Sequence, residues 1–354
     1  MNAFTKAMRW FLCAWKRVFW TSAAAWALLA VCLAHAQAQD ASATQPTPTP
    51  PAQRLVGVAY TTWHQDTHWT NVWGTPLLGF YKSDNRRVIR QHARWLSEAG
   101  ADFLFVDWSN NLGYEYDPAK PRPDFDMIEG ATFVLFDELA AMRAAGEKTP
   151  CISIFLGCPN TPSAFANGQM QRKANQVWDQ FVANPLYRPL VQEYGGKPLL
   201  VVYVGTPAPL QSGVPRWNDP RFAVRYMTGF ITQQHALTDT HSISKYGYWS
   251  WEDRGAQTYP VPSGHPEAMV VNAAWRTDPE APTPGRQNGN TFRAAWARAR
   301  QIGPKFAIVV SFNEWGRGEQ PSADVSKDIE PSREFGHLYL NILKQQAALF
   351  KAGQ

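Results

Sequence analysis

Long apolar runs are scarce in this chain of 354 residues. The run near the N-terminus, Ala23 to Leu33, is well short of the roughly 20 residues a bilayer-spanning helix needs, and no later segment approaches that length. Cysteine is sparse as well: of four, only Cys151 and Cys158 lie beyond the first 38 residues. Ile152 to Leu156 between them reads as a buried strand, whose rise of about 3.3 Å per residue holds the two Cα atoms far outside disulfide range. Two buried thiols are expected, and a disulfide-stapled miniprotein is excluded. The chain has no G-x-S-x-G, G-x-x-x-x-G-K-[ST] or Rossmann glycine fingerprint, so nucleotide, PLP and acyl-transfer chemistry have no foothold.

Neither sign of charge dominates, with 34 Lys and Arg against 29 Asp and Glu. Four of the bases, Lys6, Arg9, Lys16 and Arg17, fall in the first 38 residues, which hold no acid; the rest of the chain carries a net charge of +1. Nucleic acid thereby loses its main support as a partner. The same 38 residues combine this charged start, the short apolar run and the small-residue steps Ala34-His35-Ala36 and Ala36-Gln37-Ala38. They read as a cleavable secretory signal peptide, which makes the protein secreted or periplasmic. An uncleaved anchor is the alternative, with Trp10, Trp15, Trp20 and Trp26 at a membrane interface. Residues 39–54 are Pro/Thr/Ala-rich without apolar periodicity and read as a disordered spacer.

Residues 55–354 then form one domain, a length ordinary for a β/α barrel. Eight apolar runs of strand length support an α/β architecture, a (β/α)8 TIM barrel. They are Leu55–Tyr60, Ala101–Val106, Cys151–Leu156, Leu199–Val204, Phe222–Thr228, Tyr246–Trp251, Ala268–Ala273 and Phe306–Phe312. Helical patterns lie between several of them. One is capped by Ser83-Asp84 and stopped by Gly100; others cover Phe133–Ala145, Phe292–Ile302 and Phe335–Phe350. An open sheet of six or seven strands is the rival, because the fifth strand alternates poorly.

In a barrel the site is built from loops at the strands' C-terminal ends. Tyr60, Trp63 and His64 follow the first strand, Asp107, Trp108 and Asn110 the second, Asn160 the third and Tyr203 the fourth. Trp251, Glu252 and Asp253 follow the sixth, Asn272, Trp275 and Arg276 the seventh, and Asn313, Glu314 and Trp315 the eighth, with Arg317, Glu319 and Gln320 beyond. Aromatic faces suit the apolar C–H face of a pyranose, and carboxylates suit its hydroxyls. Hydrolysis adds a need for two carboxyl groups flanking the glycosidic oxygen. Glu314 is the candidate base or nucleophile, and Glu252, Glu319 and Asp107 are candidates for the acid. Tyr60, Trp63, Trp108, Trp251, Asn313, Trp315 and Arg317 are expected to line the sugar subsites. His64 and His68 have the spacing H-x3-H but follow a strand, so they read as loop residues; no metal or cofactor is expected.

Three stretches carry a resemblance: Tyr60-Thr-Thr-Trp63; Pro76-Leu-Leu-Gly-Phe-Tyr-Lys-Ser83-Asp84 leading to Asp107-Trp108; and Ser311-Phe-Asn-Glu314-Trp315-Gly followed by Ile329-Glu330-Pro331. Over roughly Leu55 to Phe350 the chain resembles the glycoside hydrolase family 99-like proteins, the endo-α-mannosidase group. The resemblance implies a (β/α)8 barrel acting on α-mannosides with retention and without a metal. It also implies two catalytic glutamates three residues apart after the last strand, one deprotonating a 2-hydroxyl and the other serving as acid/base. Glu314 takes the first position, and Arg317 stands at the second. A guanidinium stays protonated and cannot cycle as acid and base. Either another carboxylate supplies the acid, or the domain is a non-catalytic carbohydrate-binding barrel serving envelope or exopolysaccharide assembly. An Arg beside Glu314 would also suit an anionic sugar.

Overall fold

The computed structural model describes residues 53–112, 123–157, 167–204, 217–230, 249–252, 267–274, 285–316 and 322–354. The signal and most of the spacer lie outside them, as do Cys158, Asn160, Asp253, Trp275, Arg276, Arg317, Glu319 and Gln320. Among the described residues nine strands form one sheet: β1 (Leu55–Tyr60), β2 (Phe103–Trp108), β3 (Cys151–Gly157), β4 (Glu193–Tyr194), β5 (Lys197–Tyr203), β6 (Ala223–Phe230), β7 (Trp249–Glu252), β8 (Ala268–Val271) and β9 (Phe306–Val309). Apart from β4, a two-residue strand antiparallel to β5, the order is β7-β6-β5-β3-β2-β1-β9-β8, with parallel neighbours.

The ends of that order, β7 and β8, lie alongside each other, so the eight parallel strands form a near-closed barrel with helices between them. Glu267, just before β8, ties this seam. It accepts from Trp249 Nε1 at 3.2 Å and from Arg225 of β6 at 2.5 and 2.9 Å. The architecture is the (β/α)8 barrel, and each of the eight apolar runs overlaps one of its strands, the sixth through Trp249–Trp251 because residues 246–248 lie outside the described ones.

Strand alternation divides the core in two. Ala59, Phe103, Phe105, Phe155, Val201, Trp249, Phe306 and Ile308 fill the barrel interior. Val58, Leu104, Val106 and Trp108 point the other way and pack beneath the helices, with Leu96, Leu139 and Leu343. The α-helices among the described residues are α1 (Arg86–Glu98), α2 (Pro123–Ala144), α3 (Gln169–Val177), α4 (Asn290–Ile302) and α5 (Leu338–Ala352). The cap of α1 is Asn85, which accepts from Arg87 N and Val88 N; Ser83 instead accepts from His64 N at 2.9 Å. Gly100 ends the α1 turn at φ +86°. Helix α2 begins ten residues before Phe133, with Pro123 in the first position, where a missing N–H costs nothing. Arg54, at the end of the expected spacer, donates to Phe350 O at 3.0 Å and so belongs to the folded body. Cys151 is a half-buried free thiol. Among the described residues, no helix is long and apolar enough to cross a membrane.

Gly57 of β1 is dictated by packing, since a Cβ there would sit 2.4 Å from the Phe103 ring. Gly57→Ala should therefore cost about 1–3 kcal/mol of stability through overpacking. A urea midpoint unchanged from wild type would contradict this, and Phe103→Leu should recover part of the loss in the double variant.

Candidate active site

The site is organised by the segment after β9. Phe312 N donates to Ala59 O at 2.8 Å, prolonging the contact between the two strands. The Asn313 side chain then imitates one more ladder residue: its Oδ1 accepts from Thr61 N at 2.9 Å and its Nδ2 donates to Thr61 O at 3.1 Å. Trp315 has φ +56° and Gly316 φ +83°. A non-glycine residue in that region is strained and must be held by its surroundings.

Asp328 is what holds it. Its fully buried carboxylate accepts from Ser311 Oγ at 2.5 Å, Glu314 N at 2.7 Å, Trp315 N at 2.8 Å, Trp73 Nε1 at 2.9 Å and Ser326 Oγ at 3.3 Å. Its own carbonyl receives Arg286 Nη2 at 2.6 Å. The Arg286 guanidinium lies among Trp73, Phe335 and Tyr339, 4.3 to 4.8 Å from the ring centres, and burial pulls its pKa below the usual value.

A second buried carboxylate braces the loop from behind. Glu330 accepts from Trp315 Nε1 at 2.6 Å and Tyr81 OH at 2.8 Å, and its other oxygen lies 3.0 Å from His92 Nε2. Tyr60 OH is 3.0 Å from His92 Nδ1, so Tyr60 donating there leaves the Nε2 proton for Glu330. Burial, and after it the Glu330 charge, drives both the Tyr60 and Tyr81 hydroxyls well above the usual phenol range. They serve as hydrogen-bond donors, not as proton-transfer groups at neutral pH.

Within this frame two carboxylates converge. Lys327 Nζ is 3.5 Å from Glu314 Oε2 and 3.5 Å from Glu252 Oε1, so these two oxygens are no more than twice that distance apart. All three residues are buried. Ser311 Oγ, whose proton goes to Asp328, lies 3.3 Å from Glu314 Oε2. The ammonium lies 5.6 Å from the centre of the Trp251 ring, which is stacked on Phe155 at 5.4 Å and 4°. Tyr203 meets both rings edge-on, completing an aromatic wall on the interior side. Asp107 continues the interior row of Phe103 and Phe105 and accepts from Ser109 N at 2.7 Å.

Glu314, Glu252 and Trp251 are thus brought together around Lys327. Other expected sugar-lining residues are placed elsewhere. Trp108 alternates to the outside of the barrel wall, where it packs on Phe181, lies under Lys173 and donates to Thr132 at 2.9 Å. Tyr60 likewise belongs to the outer cluster. Trp315 is fully buried and stacked on Trp73 at 4.5 Å, so it holds the loop and presents no open face. Asn313 spends its amide on Thr61 and Tyr81. Trp63 is half-buried against the outer cluster, with an indole N–H that meets no partner among the described residues. His64 stacks on Trp69 with Nε2 2.7 Å from Asn313 O, and His68 Nδ1 is 2.5 Å from Trp63 O. Arg317 and Glu319 lie outside the described residues.

Sequence reasoning passed over Lys327, Asp328 and Arg286. The available signal was position: Lys327 and Asp328 immediately precede the Ile329-Glu330-Pro331 block.

No protein-family model and no curated sequence match the chain. Solved structures do. The family 99 endo-α-mannosidase of Bacteroides thetaiotaomicron, in complex with Bis-Tris propane, aligns with a TM-score of 0.56 at 18% identity, over 84% of this chain and 98% of that one. A second structure of that enzyme gives 0.55 at 17% over the same shares, and a glycoside hydrolase-like protein gives 0.52 at 17% over 87% and 98%. The chain therefore has the fold of the glycoside hydrolase family 99 endo-α-mannosidases. At this identity the likeness concerns the fold and leaves the chemistry to the residues.

The hub role of Asp328 has a measurable consequence. Asp328→Asn turns acceptor capacity into donor at a site crowded with donors and should cost at least about 3 kcal/mol in urea unfolding, whereas Ser326→Ala should cost under about 1.5. Equal midpoints for the two variants would remove Asp328 from this role.

Proposed function

We propose that the protein is an exported glycoside hydrolase acting on a glycan or polysaccharide, with Glu314 and Glu252 as its carboxylate pair. The observation that carries this reading is the pair itself: two buried carboxylates at the mouth of a family 99-type barrel, bridged by one lysine. The two oxygens facing Lys327 are at most about 7 Å apart, inside the upper limit of the roughly 5 to 9.5 Å across which two carboxyl groups hydrolyse a glycosidic bond. The N-terminal signal would place the reaction outside the cytoplasmic membrane.

Glu314 acts as base or nucleophile. Its backbone is clamped by Asp328 and its carboxylate lies 3.5 Å from Lys327 Nζ, so it meets the sugar in a fixed orientation. Glu252 protonates the departing oxygen, a task Arg317 cannot perform. Asp107, on the interior row, is the next candidate for that task, and Glu319 the third. Lys327 Nζ links the pair, lying 3.5 Å from one oxygen of each carboxyl group. Trp251 and Tyr203 offer aromatic surface to a sugar ring.

Glu314→Gln should lower turnover by at least about 10³-fold on any glycan the wild type cleaves, with affinity within a fewfold of wild type. Wild type that binds glycans but cleaves none across a broad panel of α- and β-linked substrates would leave a carbohydrate-binding barrel. Wild type that neither binds nor cleaves would contradict both readings.

Lys327 gives a separate test through pH. Lys327→Met removes the shared cation, which favours ionisation of both carboxyl groups, so each of them then holds its proton to higher pH. The acidic limb of kcat/KM should move upward by about one pH unit or more, while Lys327→Arg should leave it near the wild-type position. An unmoved limb in Lys327→Met would rule out electrostatic coupling of the two carboxylates through this residue.

A further inference from the structure

Large apolar side chains stand exposed at only three described positions, Leu77, Phe80 and Leu186, and two of them, Leu77 and Phe80, lie in and just after one turn of the loop that follows β1. That turn, Pro76 to Gly79, is closed by Gly79 N donating to Pro76 O at 2.9 Å and pinned by Leu77 N donating to Pro331 O at 2.8 Å. Gly79 has φ +75°, which turns the chain so that Phe80 faces out and Tyr81 faces in. Phe80 is 53% exposed, although an aromatic ring could bury itself at little conformational expense.

Phe80 is also the outer member of a rigid stack. It lies 4.9 Å from Trp69 at 26°, and Trp69 lies 4.5 Å from His64 at 16°. Trp69 Nε1 donates to Tyr81 O at 2.8 Å, and His64 Nε2 is 2.7 Å from Asn313 O, the carbonyl preceding Glu314. The indole also meets Trp315 edge-on at 6.1 Å. The exposed ring is therefore mounted on the backbone that carries Glu314. Beside it, Lys82 and Asp66 form an exposed ion pair at 2.9 Å, a polar rim next to an apolar face.

Resting on the functional reading above, we infer that Phe80, supported by Trp69 and flanked by Leu77 and the Lys82–Asp66 pair, is an outlying subsite that stacks a neutral pyranose of the same glycan chain held at Glu314. The substrate is accordingly an oligo- or polysaccharide long enough to reach beyond the two carboxylates. A protein partner does not suit the patch, because a stable interface needs about 800 Å² from each side and the apolar surface here is two side chains. A single aromatic face beside hydroxyl-binding groups matches one sugar ring.

The test uses the full chain with Glu314→Gln, so that binding is read without turnover. Affinity is measured by isothermal titration on neutral α- and β-linked homo-oligosaccharides, each as disaccharide and hexasaccharide. The hexasaccharide should bind more tightly than the disaccharide. Phe80→Ala should weaken the hexasaccharide roughly three- to tenfold and leave the disaccharide unchanged. Phe80→Trp should restore the gain with length. A length gain that survives Phe80→Ala, or an equal loss for both ligands, overturns the subsite while leaving the functional reading intact. Absence of binding to every member of the panel contradicts the functional reading, and this one with it.

Discussion

The buried carboxylate of Asp328 is the constraint on which the rest of the site depends. Loops usually satisfy their polar groups with water; this one turns inside the protein, so its N–H groups need an internal acceptor. Asp328 supplies two oxygens to five donors, among them the backbone of Glu314 and of Trp315. Without it, the left-handed backbone at Trp315 would lose its grip and Glu314 would lose its direction. Arg286 in turn fixes Asp328 through its carbonyl, and three aromatic rings fix Arg286. The chain of dependence runs from an aromatic box near the start of α5 to a single carboxylate in the barrel mouth.

Burying so many charges opposes folding unless each is paired, and here each has partners. Glu330 sits among donors from Trp315, Tyr81 and His92, and Lys327 lies between Glu314 and Glu252. Pairing of this kind seldom adds net stability over apolar residues of similar size. Its use is orientation: the loop has one arrangement that satisfies all its members, and that arrangement points two acids toward the same space. Away from the mouth, the described barrel interior is mostly apolar, with Phe, Val, Ile and Trp prominent.

Much of the fold was legible because a parallel barrel buries both faces of its strands and so writes them as apolar runs. The first run matches β1 at both ends, and Gly100 and Gly303 mark helix ends through their left-handed backbone. The candidate site was legible only in part. Glu314, Glu252 and Trp251 were named from their place at strand ends and do meet around one lysine. Trp108 shares that place, but strand alternation turns it outward, one step from the interior-facing Asp107. Distance from a strand end does not tell which side of the wall a ring takes; parity does. Lys327 and Asp328 sit in an irregular segment without periodicity, so only the folded chain brings them to Glu314.

The central claim is that Glu252 and Glu314 work as one unit across Lys327. The most direct measurement is a double-mutant cycle on kcat with Glu252→Gln and Glu314→Gln. A unit predicts strong non-additivity, with the double variant little slower than the slower single variant. Losses that multiply independently, or a Glu252→Gln variant with wild-type turnover, would contradict the claim.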